Sequence, residues 1–155
     1  TAPKYAGSAQ AMEYSGIFVP VDETHFLVLS DIMSAPEGGD LVTLYDISDP
    51  LAPKVADQKQ LENIYVSSER MIINREKGYF AIPFYTSDEV QRYYGVLTLE
   101  VQNEKIVVSN TFLNDNHDAI NADMCCILGD YIYNFAIDTS DKGHGELILF
   151  ANKYE

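Results

Sequence analysis

Residues 70–85 read "RMIINREKGYFAIPFY": an apolar strand, a polar turn, and a second strand that begins with an aromatic residue. The same order of features occurs in "IFVPVDETHFLVLS" (17–30) and in "DMCCILGDYIYNFA" (123–136). The aromatic residues that follow the three turns lie 53 and then 52 residues apart, at Phe26, Tyr79 and Tyr131. A fixed period of this length indicates a repeat architecture, in which each unit contributes one supersecondary element.

Each hairpin is followed by a polar loop and a third strand, and in the first two units by a fourth strand. The alternation in "GVLTLEV" (95–101) has the two-residue period of a strand with one buried face. No stretch shows the apolar period of about 3.6 residues that a helix requires, so we expect almost no helix. The predicted third and fourth strands are 41–47, 94–101 and 146–152, and then 54–61 and 105–113.

Four short antiparallel strands in a unit of roughly fifty residues are typical of the blades of a β-propeller. A β-sandwich also has short strands and frequent turns, but it has no reason to repeat at a fixed interval. We therefore predict an all-β fold, a single β-propeller segment over residues 1–155 with four-stranded antiparallel units at about 9–63, 64–116 and 117–155. A closed propeller needs at least about four blades, so about three blades make a partial propeller.

The stretch "TLYDISDPLAPK" (43–54) links the third and fourth strands of the first unit. Proline cannot donate a hydrogen bond to a sheet, so Pro50 and Pro53 are expected outside the paired positions. Asp49 can cap the turn through its carboxylate. The role predicted for this segment is structural.

These residues also carry a resemblance to a known family. The pattern Tyr-Asp-Ile-Ser-Asp-Pro-x-x-Pro-Lys, the strand pair "NREKGYFAIPF" and the hairpin "ILGDYIYNFA" occur in the family's order, at 45–54, 74–84 and 127–136. Over about residues 17–136 the chain resembles the secreted β-propeller proteins of unknown function of bacteria and archaea. The resemblance implies a propeller fold and a secreted or cell-surface location, and it implies no enzymatic activity. Where the family commonly carries Asp-His-Lys and an arginine, this chain has Ser67-Ser68-Glu69 and Met124.

Charge excludes some partners. The chain has 24 acidic and 10 basic residues, a formal net charge of −14, and no cluster of Lys and Arg. Nucleic acids and anionic membranes are therefore disfavoured, and no apolar run is long enough to span a membrane. The acidity is explained by solubility, with a cation-rich ligand or an extracellular or halophilic habitat as alternatives.

Two cysteines are adjacent, Cys125 and Cys126, so on a strand they point to opposite faces. We predict two small buried side chains, the alternative being a vicinal disulfide. The three histidines share no metal-ligand spacing and are expected on the surface without partners: His25, His117 and His144.

The polar segment "NDNHDAINAD" (114–123) contains the residues most suited to a metal site. Its oxygen-bearing side chains are of the kind that calcium prefers: Asp115, Asn116, Asp118 and Asp123. It is not an EF-hand loop, because Ala119 occupies the position where glycine is required. The alternative is a solvated linker between blades, in which case the chain has no cofactor.

No nucleophile motif such as Gly-x-Ser-x-Gly is present. Tyr93 and Tyr94 offer a stacking surface for sugars, whereas the strand pattern assigns Tyr79, Tyr131 and Tyr133 to packing. The sequence therefore favours a binding or scaffolding module for an unknown protein or glycan ligand, without catalytic residues in this chain. The alternative is part of a hydrolase acting on an extracellular polymer, with its catalytic residues mostly in other blades.

Three blades would leave two sheet faces without neighbours. We expect the apolar patterns of "IFVPV" (17–21) and "GELILF" (145–150) to continue onto these end surfaces. Large apolar patches of this kind are covered in stable proteins. The chain is therefore predicted either to self-associate or to belong to a longer propeller chain.

Overall fold

The computed structural model describes residues 5, 6, 8, 16–30, 38–67, 70–87, 92–114, 119–138 and 146–154. Over these ranges the fold is all-β, as predicted, with twelve strands in three antiparallel sheets. This part of the chain contains no helix with the length and hydropathy needed to cross a membrane. The predicted propeller arrangement of the sheets stays a prediction.

Contacts divide the chain into two compact units. The first comprises Thr1–Glu62 together with Val101–Ile106, and the second comprises Asn63–Glu100 and Val107–Glu155. The first sheet belongs to the first unit, and the facing residues of the middle and third sheets belong to the second.

The first sheet has the strand order β1-β2-β3-β4, as predicted for a four-stranded unit. The chain turns back after each strand, so neighbours in sequence are neighbours in the sheet. Its strands are β1 (Gly16–Pro20), β2 (His25–Ser30), β3 (Leu41–Asp46) and β4 (Lys54–Gln60).

The link between β3 and β4 leaves both prolines outside the paired positions, as predicted. Pro50 and Pro53 lie between the strands, and the Leu51 amide donates to Asp49 Oδ1 at 2.9 Å. Asp46 closes the end of β3 by accepting the Ser48 amide at 2.8 Å. Hydrogen bonds from Ser48, and then the ammonium group of Lys54, hold the pKa of the Asp46 carboxyl well below its usual range.

The middle sheet has five strands, one more than predicted. The strand predicted at the start of 70–85 is present over 72–74, and an additional short strand over 64–66 was not predicted. Both pair with the strand Tyr79–Ser87, with Val66 opposite Phe84 and Ile72 opposite Ala81. The gap between these two short strands lies opposite Pro83, which has no N–H to donate to a neighbouring strand. The strands are β5 (Ile64–Val66), β6 (Ile72–Asn74), β7 (Tyr79–Ser87), β8 (Arg92–Gln102) and β9 (Lys105–Leu113).

The third sheet has three strands in the order β10-β11-β12. The register of β10 against β11 shifts between Ile120 and Met124. The strands are β10 (Ala119–Leu128), β11 (Tyr131–Asp138) and β12 (Glu146–Lys153).

The middle and third sheets pack face to face and share a hydrophobic core. Its buried members are Tyr79, Ala81, Val96, Cys125 and Ile132. Tyr154 closes the edge of this core, because its ring stacks on Tyr79 with centroids 4.0 Å apart and its hydroxyl donates to Glu100 Oε1 at 2.5 Å. The C-terminal side of β12 is thereby fixed to the middle sheet.

Two packing predictions need correction. Both cysteines are free thiols on opposite faces of β10, as expected, but only Cys125 is buried, and Cys126 is partly exposed. Tyr131 was predicted to pack, yet 41% of it is exposed, because it lies on the face of the third sheet that points away from the middle sheet.

Candidate functional site

The tight turn between β1 and β2 is organised by one carboxylate. Asp22 Oδ1 accepts hydrogen bonds from the backbone amides of Thr24 (2.7 Å) and His25 (2.8 Å), and from the Thr24 hydroxyl (3.0 Å). Aspartate favours such turns because its side chain can bond to the backbone two and three residues further on. The start of β2 is thus held in a fixed position.

His25 has a partner, so the prediction of an unpartnered surface histidine is wrong at this position. Its Nδ1 lies 3.1 Å from both carboxylate oxygens of Asp22 and 3.0 Å from the Thr24 hydroxyl oxygen. An ionised carboxylate only accepts hydrogen bonds, so Nδ1 carries the proton, and in the neutral ring Nε2 is the acceptor.

The carboxyl group of Asp22 is kept ionised in this arrangement. Partial burial acts to raise its pKa, but hydrogen bonds from the Thr24 amide and from the His25 and Thr24 side chains outweigh that effect. The net result is a pKa below the ordinary value of 3.8. The Asp22–His25 pair therefore keeps its orientation at neutral pH.

These residues border a groove of about 310 Å³ on the first sheet. The His25 side chain is 14% exposed, and its Nε2 is buried without a hydrogen-bond partner among the residues that the structure describes. A buried nitrogen without a partner costs free energy, which a ligand donating to it would recover. The groove is lined by Phe18, Pro20, Asp22, His25, Phe26 and Ile47.

The walls of the groove are aromatic and aliphatic. Phe26 stacks on Tyr45, its partner on the neighbouring strand, with ring centroids 5.0 Å apart. Phe18 packs against Phe26 at 5.7 Å in a tilted geometry, and 69% of Phe18 is exposed. The lining of the groove thus combines an exposed aromatic ring with the Asp22–His25 pair, which suits a small ligand with an apolar face and a hydroxyl or N–H group.

The predicted calcium residues do not form an observable cluster. Asp115, Asn116 and Asp118 lie outside the described residues, and Asp123 lies on β10. Within the described ranges no group of three or more His, Cys, Asp or Glu side chains is placed to hold a metal ion. His117 and His144 also lie outside these ranges.

Tyr94 belongs to a row of tyrosines that crosses the middle sheet. Tyr85 stacks on Tyr65 with centroids 5.0 Å apart and lies 6.3 Å from Tyr94 in a tilted arrangement. Tyr94 is partly buried in this row, while Tyr93 occupies the next position of β8. The two residues therefore do not form one continuous stacking surface, because neighbouring residues of a strand point to opposite faces.

Cys125 is not a nucleophile at neutral pH. Burial, followed by the proximity of Cys126, raises the pKa of its thiol to about 12. The thiolate is the reactive form of cysteine, so this side chain behaves as a small hydrophobic group.

No protein-family model, no curated protein and no solved structure matches this chain. The groove was not predicted from the sequence, although two signals for it are present. The alternation in "IFVPV" places Phe18 and Pro20 on one face of β1, and Asp22 precedes His25 by three residues across the turn.

Proposed function

We propose that this chain is an exported binding module of the β-propeller type, which holds its ligand in the groove of the first sheet. The three antiparallel sheets in repeating order and the resemblance to secreted propeller proteins support the propeller and its location. The observation that carries the binding role is His25, which lines an apolar groove and whose buried Nε2 has no hydrogen-bond partner among the described residues.

The ligand that this chemistry favours is a sugar ring of an extracellular glycan. The C–H face of a pyranose packs on an aromatic ring, and Phe18 presents one that is 69% exposed. A ring hydroxyl can donate to His25 Nε2, and a second one can donate to Asp22, whose side chain is 53% exposed. A groove of about 310 Å³ lies at the small end of ligand sites and fits one ring.

The test is a nuclear magnetic resonance titration of the full chain with methyl glycosides of glucose, galactose, mannose and N-acetylglucosamine. We expect saturable shifts at the His25 ring for at least one glycoside, with a Kd of about a millimolar, as for a single small ring. Phe18→Ala should weaken this binding by about twofold to tenfold, because it removes one stacking contact. Leu51→Ala is the matched control, since Leu51 is 76% exposed, lies in the same unit and is not part of the groove.

N-acetyl-tyrosinamide serves as a second probe that represents an aromatic peptide side chain. If it binds and no glycoside does, the ligand is a protein and the glycan assignment is wrong. If neither class shifts the His25 resonances, or if Leu51→Ala weakens binding as much as Phe18→Ala, the groove is not a binding site.

A further inference from the structure

The outer face of the third sheet, defined by the odd-numbered residues of β11 and their partners, is apolar and exposed. Met124, Phe135 and Leu149 form one row across the three strands, and Leu128, Tyr131 and Lys153 form another. The exposed fractions are 56% for Met124, 65% for Leu128 and 53% for Leu149. Leu149, and Leu147 at 65%, are exposed apolar residues of "GELILF", as expected from its pattern.

Strand register identifies the same face in the middle sheet. Tyr79 pairs with Glu100 at the start of its hairpin, as Tyr131 pairs with Lys153. Four residues further along, Pro83 pairs with Val96 as Phe135 pairs with Leu149. Tyr79 and Tyr131 are therefore equivalent, and so are Val96 and Leu149.

The equivalent positions differ in exposure. Tyr79 is 1% exposed and Val96 is 0% exposed, because the inner face of the third sheet covers them with Cys125 and Ile132. Tyr131 and Leu149 have the same kind of side chain and are 41% and 53% exposed. Within the second unit, the face of the middle sheet that carries Tyr79 and Val96 is thus covered by the next sheet of the repeat.

The outer face is also large and nearly uncharged. Three strands about 4.8 Å apart and about eight residues long give a face of roughly 400 Å², which is the size of the largest patch on a typical monomer. Among the described residues of the two rows, Lys153 carries the only charge. Depletion of charge is the compositional mark of an interface core.

We propose that the outer face of the third sheet binds the same face of a second copy of this chain. The inner face is already used within the chain, so a second copy offers its outer face, and the contact is related by a twofold axis. Two faces of roughly 400 Å² are smaller than a standard interface, which makes the dimer weak. The net charge of −14 on each copy opposes association, so salt strengthens it.

Sedimentation velocity of the full chain tests this proposal at concentrations from about 1 to 200 µM, the range in which a weak dimer forms. We expect a shift from the 17.4 kDa monomer towards twice that mass, with more dimer at about 0.3 M salt than at about 0.02 M. Leu149→Lys should abolish the shift. Leu113→Lys is the matched control, because Leu113 is 54% exposed and lies on β9, outside the face.

Far-ultraviolet circular dichroism and melting of both variants establish that they fold. The proposal is overturned if the wild type stays monomeric at the highest concentration and salt, or if Leu113→Lys and Leu149→Lys act alike. A dimer that persists in folded Leu149→Lys uses another surface and also overturns it. Phe18→Ala should leave the dimer unchanged, so failure of the dimer proposal is distinguishable from failure of the proposal that the groove binds a ligand.

Discussion

The middle and third sheets each contain a strand pair of the same register, β7 with β8 and β11 with β12, but they use their faces differently. In the middle sheet Ile82 and Val96 lie on opposite faces, and both are fully buried. In the third sheet Ile132 is fully buried, whereas Leu147 on the other face is 65% exposed. Both sheets have apolar residues on both faces, which is the composition of a sheet covered on two sides. The difference therefore lies in what covers the sheet rather than in its strands.

Two buried polar side chains, one in the middle sheet and one in the third sheet, also differ. Thr98 in the middle sheet is fully buried, and its hydroxyl lies 2.7 Å from the Ser109 hydroxyl. Asn134 at the centre of the third sheet is equally buried, but neither atom of its amide has a hydrogen-bond partner within the described part of the chain. The hydroxyl of Thr98 is thus satisfied within the middle sheet, whereas the amide of Asn134 carries an uncompensated cost.

The largest effect is expected from truncation on the inner face of the third sheet. Ile132→Ala should lower the free energy of unfolding by about 2–5 kcal/mol, because it opens a cavity in the core shared with the middle sheet. Leu147→Ala on the outer face should change it by less than about 0.5 kcal/mol. Urea unfolding at low protein concentration measures both, and similar losses in the two variants would break the distinction between the faces.

Replacement of the unpaired amide tests the polar contrast. Asn134→Leu should raise the free energy of unfolding by about 1–3 kcal/mol, because it removes the desolvation cost of a buried amide without a partner. Thr98→Val is the control in the middle sheet and should lower the stability, since it removes the hydroxyl that bonds to the Ser109 hydroxyl and accepts from the Asn110 amide. Urea unfolding decides the sign, and a destabilised Asn134→Leu would mean that the amide has a partner.

Loss of the hydrogen bond by which Tyr154 joins the third sheet to the middle sheet has a smaller expected effect on stability. Tyr154→Phe keeps the ring on Tyr79 and loses the hydrogen bond to Glu100, so it should cost about 1 kcal/mol at pH 7. Burial, then the hydrogen bond to Glu100, raises the pKa of Tyr154 above its ordinary value of 10.0. Its contribution is complete below pH 10 and is lost as the pH rises through the folded-state pKa.

Urea unfolding of the wild type and Tyr154→Phe at increasing pH measures this loss. The difference between the two proteins should shrink above pH 10, the unfolded-state pKa. If the difference in unfolding free energy stays constant across that range, the hydrogen bond that the Tyr154 hydroxyl donates to Glu100 does not contribute to stability.

The two faces of β10 are distinguished by thiol reactivity, with no expected change in stability. At about pH 8, a thiol reagent should modify the partly exposed Cys126 rapidly and the buried Cys125 only on unfolding, since burial raises the pKa of the Cys125 thiol to about 12. Mass spectrometry should find one rapidly labelled thiol per native chain. Cys126→Ser should abolish that label, and equal labelling of both residues would contradict the assignment of faces.

Much of the fold could be predicted from local sequence. The hairpins were found because turn residues such as Asp22 and Gly129 separate strands with a two-residue period, and both signals depend on near neighbours alone. Gly129 has a φ of 61°, a conformation that glycine adopts without strain. The strand Ile64–Val66 was missed, because three residues are too few for a two-residue period to be recognised.

The candidate site could be predicted only in part. The turn at Asp22 could be recognised from the sequence. The groove also includes Phe26, whose ring stacks on Tyr45 of the neighbouring strand, and a contact between strands cannot be recognised from local sequence patterns. The exposure of Tyr131 was missed for a related reason. Its pattern equals that of Tyr79, and only the presence of a covering sheet separates the two residues.

The grouping of Val101–Ile106 with the first unit has a consequence for the order of folding during synthesis. Asp57 on β4 accepts hydrogen bonds from the Lys105 ammonium group and from the Ile106 amide, both at 2.9 Å. A ribosome that has released only the first sheet has not yet supplied these donors. The first unit therefore becomes complete about forty-five residues after β4 has emerged, a delay of a few seconds at common elongation rates. During that interval we expect a chaperone to bind the nascent chain at the exposed edge of β4.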